Sequence, residues 1–303
     1  MSARPIVLKF GGELLENPAH LATVVSAITR MTRSVTAVGV TTERDGARES
    51  RVGVGPHACP IVICHGGGKE IDAALRVAGI EKRQVDGLRI TDEATLAVVV
   101  AVLAGTVNTR LVAALTTAGV KAVGLTGVDG PCGLSAAAPP HRTAGETDGQ
   151  LVDLGRVGVP LAESDVTLLT TLAGNGFVPV VATIGIGTEG QLFNVNADTL
   201  AGHLAARMGA RRLVIAGTTP GVLGSDGGTL ATLDASGIDR LVADRTATAG
   251  MIAKLGACQH ALASGVDEVV IVDGRDGAAL EAAATGAVPA GATQIAGLKA
   301  CTT

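Results

Sequence analysis

Six short runs rich in β-branched residues recur along the chain: "PIVLKF", "PIVIC", "KAVGLTG", "FVPVVATIG", "RRLVIAG" and "DEVVIVDG". Each is continuously apolar rather than alternating in polarity, which is the pattern of a strand covered on both faces. Between them lie Ala-rich stretches of helical character, "HLATVVSAITRM", "EIDAALRVAG", "DEATLAVVVAVLAGTVNTRLVAALTTAG", "DVTLLTTLAGNG", "ADTLAGHLAARMGA" and "GMIAKLGACQHALASG". Several close on the glycine that commonly follows a helix C-terminus. Strands buried on both faces and joined through helices point to a mainly parallel central sheet with helices over both sides, an α/β three-layer αβα sandwich. Two stretches fall outside the alternation, residues 41–58 ("TTERDGARESRVGVGPHA") and 130–149 ("GPCGLSAAAPPHRTAGETDG"). Both read as polar surface insertions. No linker divides the chain and no internal repeat is visible.

The core of such a sandwich has to be aliphatic here. Trp and Tyr are absent and Phe occurs three times in 303 residues, yet 47% of the chain is hydrophobic. A formal charge of −4 without basic clusters excludes a nucleic-acid partner, whose phosphates need a dense positive face. Small molecules remain as ligands. The five cysteines, Cys59, Cys64, Cys132, Cys258 and Cys301, form no CxxC pair and no zinc spacing, which fits a reducing cytoplasm. The longest uninterrupted apolar stretch, "LAVVVAVLA", falls far short of the ~20 residues of a membrane span. "MSARPIVLKFGG" reaches charge and glycine too early for a signal peptide.

The stretch "CHGGGKEID" puts three glycines where a strand hands over to a helix. It is not a P-loop: five residues before the Gly68–Lys69 pair stands Ile63, and Glu70 follows the lysine. Gly66, Gly67 and Gly68 match only the first spacing of a dinucleotide fingerprint. The physics that survives is general: a strand end, glycine N–H groups and the positive N-terminus of a helix make an anion site. "IVLKFGGELL" repeats the arrangement from Lys9 to Gly12. In an open α/β sheet ligands bind beyond the carboxyl ends of the strands, so both junctions can face one ligand. His65 has no second His or Cys at ligand spacing and reads as a hydrogen-bonded structural residue, and no metal site is expected from side chains alone.

"VLKFGG", "VICHGGGKEID", "VDGLRITD", "VLAGTVNTRLVAAL", "AVGLTGVDG", "VDLGRVG", "GFVPVVATIGIGTEGQLFNVNADTLAG", "TPGVL" and "TAGMIAKLGACQHALASGVDEVVIVDGR" occur in an order and approximate spacing that resembles the N-acetylglutamate kinase family, within the amino acid kinase superfamily. The resemblance runs from about residue 5 to about residue 297. It implies the amino acid kinase fold and transfer of the ATP γ-phosphate to the side-chain carboxylate of N-acetyl-L-glutamate, a step of arginine biosynthesis, with ATP and Mg²⁺ required. It also implies an amino-terminal lobe, 1–180, for acetylglutamate and a homodimer contact, and a carboxyl-terminal lobe, 181–303, for ATP.

By the same resemblance Lys9 and Lys254 flank the transferring phosphoryl group, and Asp198 sits between the two ammonium groups. Gly11, Gly12 and Gly67 offer backbone N–H donors. Gly67, Gly68, Arg89, Asn194 and Asn196 bind acetylglutamate, with Arg89 gripping the α-carboxylate through its planar fork. Gly11, Gly12, Gly217, Thr218, Pro220, Gly221, Val222 and Leu223 serve the nucleotide. Taken singly, a lysine or arginine is far more often a solvated surface residue, and Asp198 reads equally as a helix-start residue. The chemistry agrees with the resemblance. A carboxylate acceptor with a pKa near ~4.3 is ionised at neutral pH and needs no general base, so cations and oriented N–H donors are what the reaction demands. There is one departure: the family has an Asp in its nucleotide site where "AGTTPGVL" places Gly217 and Thr218. Arginine-inhibited members carry a further helix before the first strand, so the resemblance implies no inhibition by arginine here. Two other readings stand beside this one: a kinase of another acidic substrate (glutamate, aspartate or a carrier-linked aminoadipate), and a catalytically weak nucleotide-binding regulator.

Overall fold

The computed structural model describes residues 3–33, 59–143, 149–244 and 249–296. Its centre is an eight-stranded sheet. Across it run Thr232–Leu233, Thr293–Ile295, Glu268–Asp273, Arg212–Gly217, Ile6–Phe10, Ile61–His65, Val178–Ala182 and Ala122–Thr126. All neighbours pair in parallel except Thr293–Ile295 against Glu268–Asp273. The six apolar runs form the six long strands, so continuous burial did mark a parallel sheet.

Alternation along each strand sorts the core into two layers. Ile6, Leu8, Phe10, Ile61 and Ile63 face the helices Pro18–Arg33, Gly68–Val77 and Gly277–Thr285 and the long helix 93–117. Val7, Val62, Cys64, Leu213 and Ile215 face Thr167–Gly174, Ala197–Arg207, Ala235–Ala243 and Ala249–Ala263. This is the αβα sandwich. The packing is aliphatic, with Phe10 and Phe193 its two buried aromatic side chains among the described residues.

Three details depart from the sequence reading. First, "FVPVVATIG" is two strands: Val178–Ala182 stays in the main sheet, and after the buried Thr183 the chain turns Ile184–Ile186 into a separate four-stranded sheet. Leu192–Val195, Val157–Pro160 and Ser135–Ala137 complete that sheet. Second, 130–149 is not merely a surface insertion. Cys132 and Ser135 are buried and His141–Arg142 pairs with Leu151–Val152, while 144–148, like 41–58, lie outside the described residues. Strands of two or three residues held by distant partners leave no periodicity to read. Third, the helix Glu93–Thr117 is long and apolar enough to cross a membrane. Leu103, Val107, Leu111 and Leu115 bury one side of it in the core, so it is a core helix. Its middle, Ala101–Val107, is wound as a π-helix.

Candidate active site

The glycines stand where two strand ends are pressed together. Phe10 and His65 are paired at the carboxyl ends of adjacent strands, and each strand runs into its glycine turn. A Cβ placed on Gly12 would lie 2.8 Å from Gly67 Cα, and one on Gly67 would lie 2.9 Å from Leu103 Cδ2. Side chains here would drive the loops apart. Gly68 has open space around it and opens the helix Gly68–Val77. The first-turn N–H groups of that helix lack helical partners. One expected donor is corrected: the Gly11 N–H is spent on Ala216 O at 3.0 Å, because it continues the pairing of Ile6–Phe10 with Arg212–Gly217. Gly12 and Gly67 are left as the backbone donors.

Above these loops lies a cleft of about 290 Å³. It brings together Lys9, Gly11, Gly12, Gly67, Gly68, Arg89, Asn194, Asn196 and Asp198, drawn from both sides of residue 180. Lys9 sits on the strand face opposite Leu8 and Phe10, and its Nζ lies 2.7 Å from Asp198 Oδ1. Both side chains are about nine-tenths buried. The contact is an ion pair, and Asp198 Oδ1 receives no further hydrogen bond. Burial acts to lower the Lys9 pKa, but the Asp198 carboxylate outweighs it and the value ends above the ordinary lysine range. Lys254 approaches from Ala249–Ala263, and its Nζ is 3.8 Å from where a Cβ on Gly217 would stand. Its pKa is lowered, first by burial and then by repulsion from Lys9. Asp198 therefore grips Lys9 alone, since Lys254 is in no ion pair among the described residues. A cation held near a second cation without its own counter-charge is arranged for an anionic guest.

Asn196 accounts for the position of Asp198. Its side chain caps Ala197–Arg207, accepting hydrogen bonds from the N–H groups of Asp198 (2.9 Å) and Thr199 (3.1 Å). The cap is Asn196 rather than Asp198, which frees the Asp198 carboxylate for Lys9. Arg89, which also lines the cleft, is nine-tenths buried. Its Nη2 donates to Asp72 Oδ1 and, at 3.4 Å, to Gly68 O, while Nη1 is buried with no partner. One arm of the fork is thus committed and the other awaits an acceptor. Asn194 Nδ2 donates to Thr91 Oγ1 (3.1 Å), whose hydroxyl donates in turn to Arg89 O (3.2 Å). That chain leaves the Asn194 oxygen for the cleft. Among the described residues no cluster of three His, Cys, Asp or Glu could hold a metal by itself.

Two lysines and two glycine turns beyond the ends of parallel strands make a cationic, N–H-lined site suited to an anion. The model of the amino acid kinase family matches residues 4–273. The chain belongs to the amino acid kinase family. This family member is 43% identical over 230 residues to an acetylglutamate kinase of Novosphingobium aromaticivorans, covering 74% of each chain. It is 38% identical over 277 residues to one of Erythrobacter litoralis, covering 90% of this chain and 84% of that one. The crystal structure of N-acetylglutamate synthase from Neisseria gonorrhoeae complexed with coenzyme A and N-acetyl-glutamate shares the fold, with a TM-score of 0.72 at 23% identity, over 97% of this chain and 59% of that chain.

The remaining expected residues of this amino acid kinase lie outside the cleft walls. Gly217 ends its strand beside Lys254, Thr218 is half-buried and Pro220 is exposed. Gly221 and Val222 are packed against Thr293: a Cβ on Gly221 would stand 2.5 Å from Thr293 Oγ1, and Val222 N–H donates to that oxygen at 2.8 Å. They anchor the loop, and Leu223 next to them remains 45% exposed. The sequence reading missed Thr91 and Glu13. Thr91 stands two residues after Arg89 in "GLRITD", and Glu13 follows the first glycine pair and lines the cleft.

Proposed function

We propose that this chain is an acetylglutamate kinase that transfers the ATP γ-phosphate to the side-chain carboxylate of N-acetyl-L-glutamate. The observation that carries the reading is the unpartnered, buried Arg89 Nη1 in the same cleft that Lys9 lines. An acceptor with two carboxylates fits a cleft lined by both cations, and the curated acetylglutamate kinases at 37–43% identity support it. Arg89 takes the α-carboxylate, and the Asn194 oxygen accepts the acylated N–H. Asn196 holds the start of its helix, and Gly68 leaves room for the acceptor. The nucleophilic carboxylate arrives ionised, so no residue has to remove a proton. Lys9 and Lys254 offset the charge spread over the phosphoryl oxygens, and Gly12 and Gly67 donate to them. Asp198 fixes Lys9.

The nucleotide lies over Gly217, Thr218, Pro220 and Leu223, on the 181–303 side, while 1–180 carries most of the acceptor contacts. Mg²⁺ fits this donor set as an ion brought in by the phosphates. Asp198, whose Oδ1 meets only Lys9, and Glu13 are the carboxylates at the cleft, and the ion would supply further neutralisation of phosphate charge. A homodimer is part of the proposal: the edge strand Ala122–Thr126 is incompletely covered, and Ala94, Ala97, Ala101 and Gly105 expose a small-residue face on the helix Glu93–Thr117. The cysteines among the described residues are unpaired, as suits the cytoplasm.

A hydroxamate assay for acyl phosphate with ATP, Mg²⁺ and N-acetyl-L-glutamate, run beside glutamate and aspartate, tests the reading. Product with N-acetylglutamate well above the other two is expected. Equal or greater turnover of a free amino acid overturns it.

A further inference from the structure

We propose that His65, locked in one tautomer by Asn108, is a positioning residue for phosphoryl transfer: it turns the Gly66–Gly67 peptide so that the Gly67 N–H faces the cleft. The inference rests on the reaction assigned above and deepens the account of its anion site.

His65 ends the strand Ile61–His65 with its ring fully buried on the side of the helix Glu93–Thr117. The π-wound segment Ala101–Val107 hands over to Asn108, also buried, which lies against the sheet. A π turn takes in an extra residue and re-aims the side chains beyond it. The Asn108 amide nitrogen lies 2.9 Å from Val180 O and 3.3 Å from Leu125 O. Both are carbonyl oxygens and can only accept, so chemistry places the nitrogen, not the oxygen, at that position. The same nitrogen is 3.1 Å from His65 Nε2. An amide nitrogen only donates, and its two protons go to the two nearer acceptors, Val180 O and Nε2, so Nε2 is bare and the ring proton sits on Nδ1.

His65 Nδ1 lies 3.2 Å from Gly66 O and therefore donates to it. Burial supports the neutral ring, pushing the His65 pKa down to about 4. The Gly66–Gly67 peptide is trans, so its C=O and N–H point in opposite directions. With the oxygen drawn toward the buried ring, the Gly67 N–H is turned away from the core, toward the cleft that Gly67 lines. The Gly66 N–H is anchored separately on Phe10 O at 3.2 Å. A peptide between two glycines has little steric preference of its own. Released from His65 it can flip, which would present a carbonyl oxygen to the phosphoryl group where a donor is needed.

The test compares His65→Gln with His65→Asn. An Asn amide reaches roughly the δ position of the ring and can still donate to Gly66 O, whereas a Gln amide reaches the ε position and cannot. His65→Gln is expected to lower kcat about 10- to 100-fold, somewhat less than outright loss of an oxyanion donor, with both KM values within about threefold. His65→Asn should recover most of that loss. A purely structural role predicts instead that both variants lower Tm and raise KM alike, which overturns the inference, as does a wild-type kcat in His65→Gln. ¹⁵N NMR of wild-type protein labelled at histidine decides independently of how either variant folds: a bare Nε2 and protonated Nδ1 are expected, and an Nε2–H tautomer refutes the lock. Wild-type protein that makes no acyl phosphate from N-acetylglutamate would overturn the assigned reaction rather than the tautomer.

Discussion

Gly12→Ala tests whether the two glycine turns have to touch. The new Cβ would stand 2.8 Å from Gly67 Cα and 3.2 Å from both Gly67 C and Gly68 N. Ordinary van der Waals contact begins near 3.4 Å, so the turns must part by at least the shortfall of about 0.6 Å. Every atom met is backbone, and no side chain can swing aside. Lys9 lies three residues before the alanine and Gly67 is one of the two remaining donors, so the displacement falls on the phosphoryl site itself. Misplacement by about 1 Å costs on the order of 10²-fold in rate, which sets the expected loss of kcat at about 10- to 100-fold. Gly68→Ala is the contrast. Nothing lies within 4 Å of its Cβ, and the residue opens a helix, where alanine has fewer unfolded conformations to lose than glycine. Stability should hold or rise, while the methyl group narrows the cleft and raises KM for the acceptor. Hydroxamate kinetics at varied N-acetylglutamate and ATP, with melting temperatures for both variants, separate these outcomes. Wild-type kcat in Gly12→Ala would refute the contact argument, and a lowered Tm in Gly68→Ala would show that its space is not free.

Lys254→Ala should lower kcat at least about a hundredfold with KM little changed, because the charge it offsets exists mainly in the transition state; a loss confined to KM rejects that role. The Lys254 pKa is depressed from 10.5 and that of Lys9 is raised above it, so kcat should fall on the alkaline side below pH 10.5 through Lys254, and Lys254→Arg should move that limb upward. For stability the signs are opposite: unfolding binds protons at Lys254 between its two values, so its cost is relieved as pH rises, while the stabilisation from the Lys9–Asp198 pair holds below 10.5 and is lost as pH climbs through the raised value. Arg89→Ala removes one charge-assisted arm worth ~1.5–3 kcal/mol and should raise KM for N-acetylglutamate roughly ten- to a hundredfold with kcat nearly kept, while Asp72 keeps Lys82 at 2.6 Å; unchanged KM would remove Arg89 from the site. Arg212 is 1% exposed, donates to Ala283 O, Ala287 O and Gly286 O at the end of Gly277–Thr285, and pairs with Glu268. Arg212→Ala should therefore cost about 1–3 kcal/mol for each buried carbonyl left without a donor, read in chemical denaturation, with kcat of the folded enzyme unaltered.

The features legible in the sequence were local. Six continuous apolar runs marked the long strands because burial on both faces leaves its trace within five or six residues, and glycines at two strand ends marked turns pressed closer than a Cβ allows. The small sheet was hidden because its strands are three or four residues long and pair across distances that no periodicity spans, as Ser135–Ala137 does with Val157–Pro160. The break at Thr183 was invisible because "VVATIGI" is apolar on both sides of the turn.

The site divides along the same line. Residue types such as Lys9, Arg89 and Asp198 name the chemistry, but which groups are already committed is decided by neighbours distant in sequence. Gly11 loses its N–H to Ala216, on a strand from the other half of the chain. Arg89 gives one arm to Asp72, and Asp198 keeps to Lys9 because Asn196 takes over the helix cap. The Gly67 donor depends on Asn108, which stands 43 residues beyond His65 and is delivered by a π turn that no composition announces. The direction of a peptide plane carries no signature in a string of glycines. It is set by a buried ring whose proton is held on Gly66 O, and so the direction of this donor is the part of the site a linear reading reaches last.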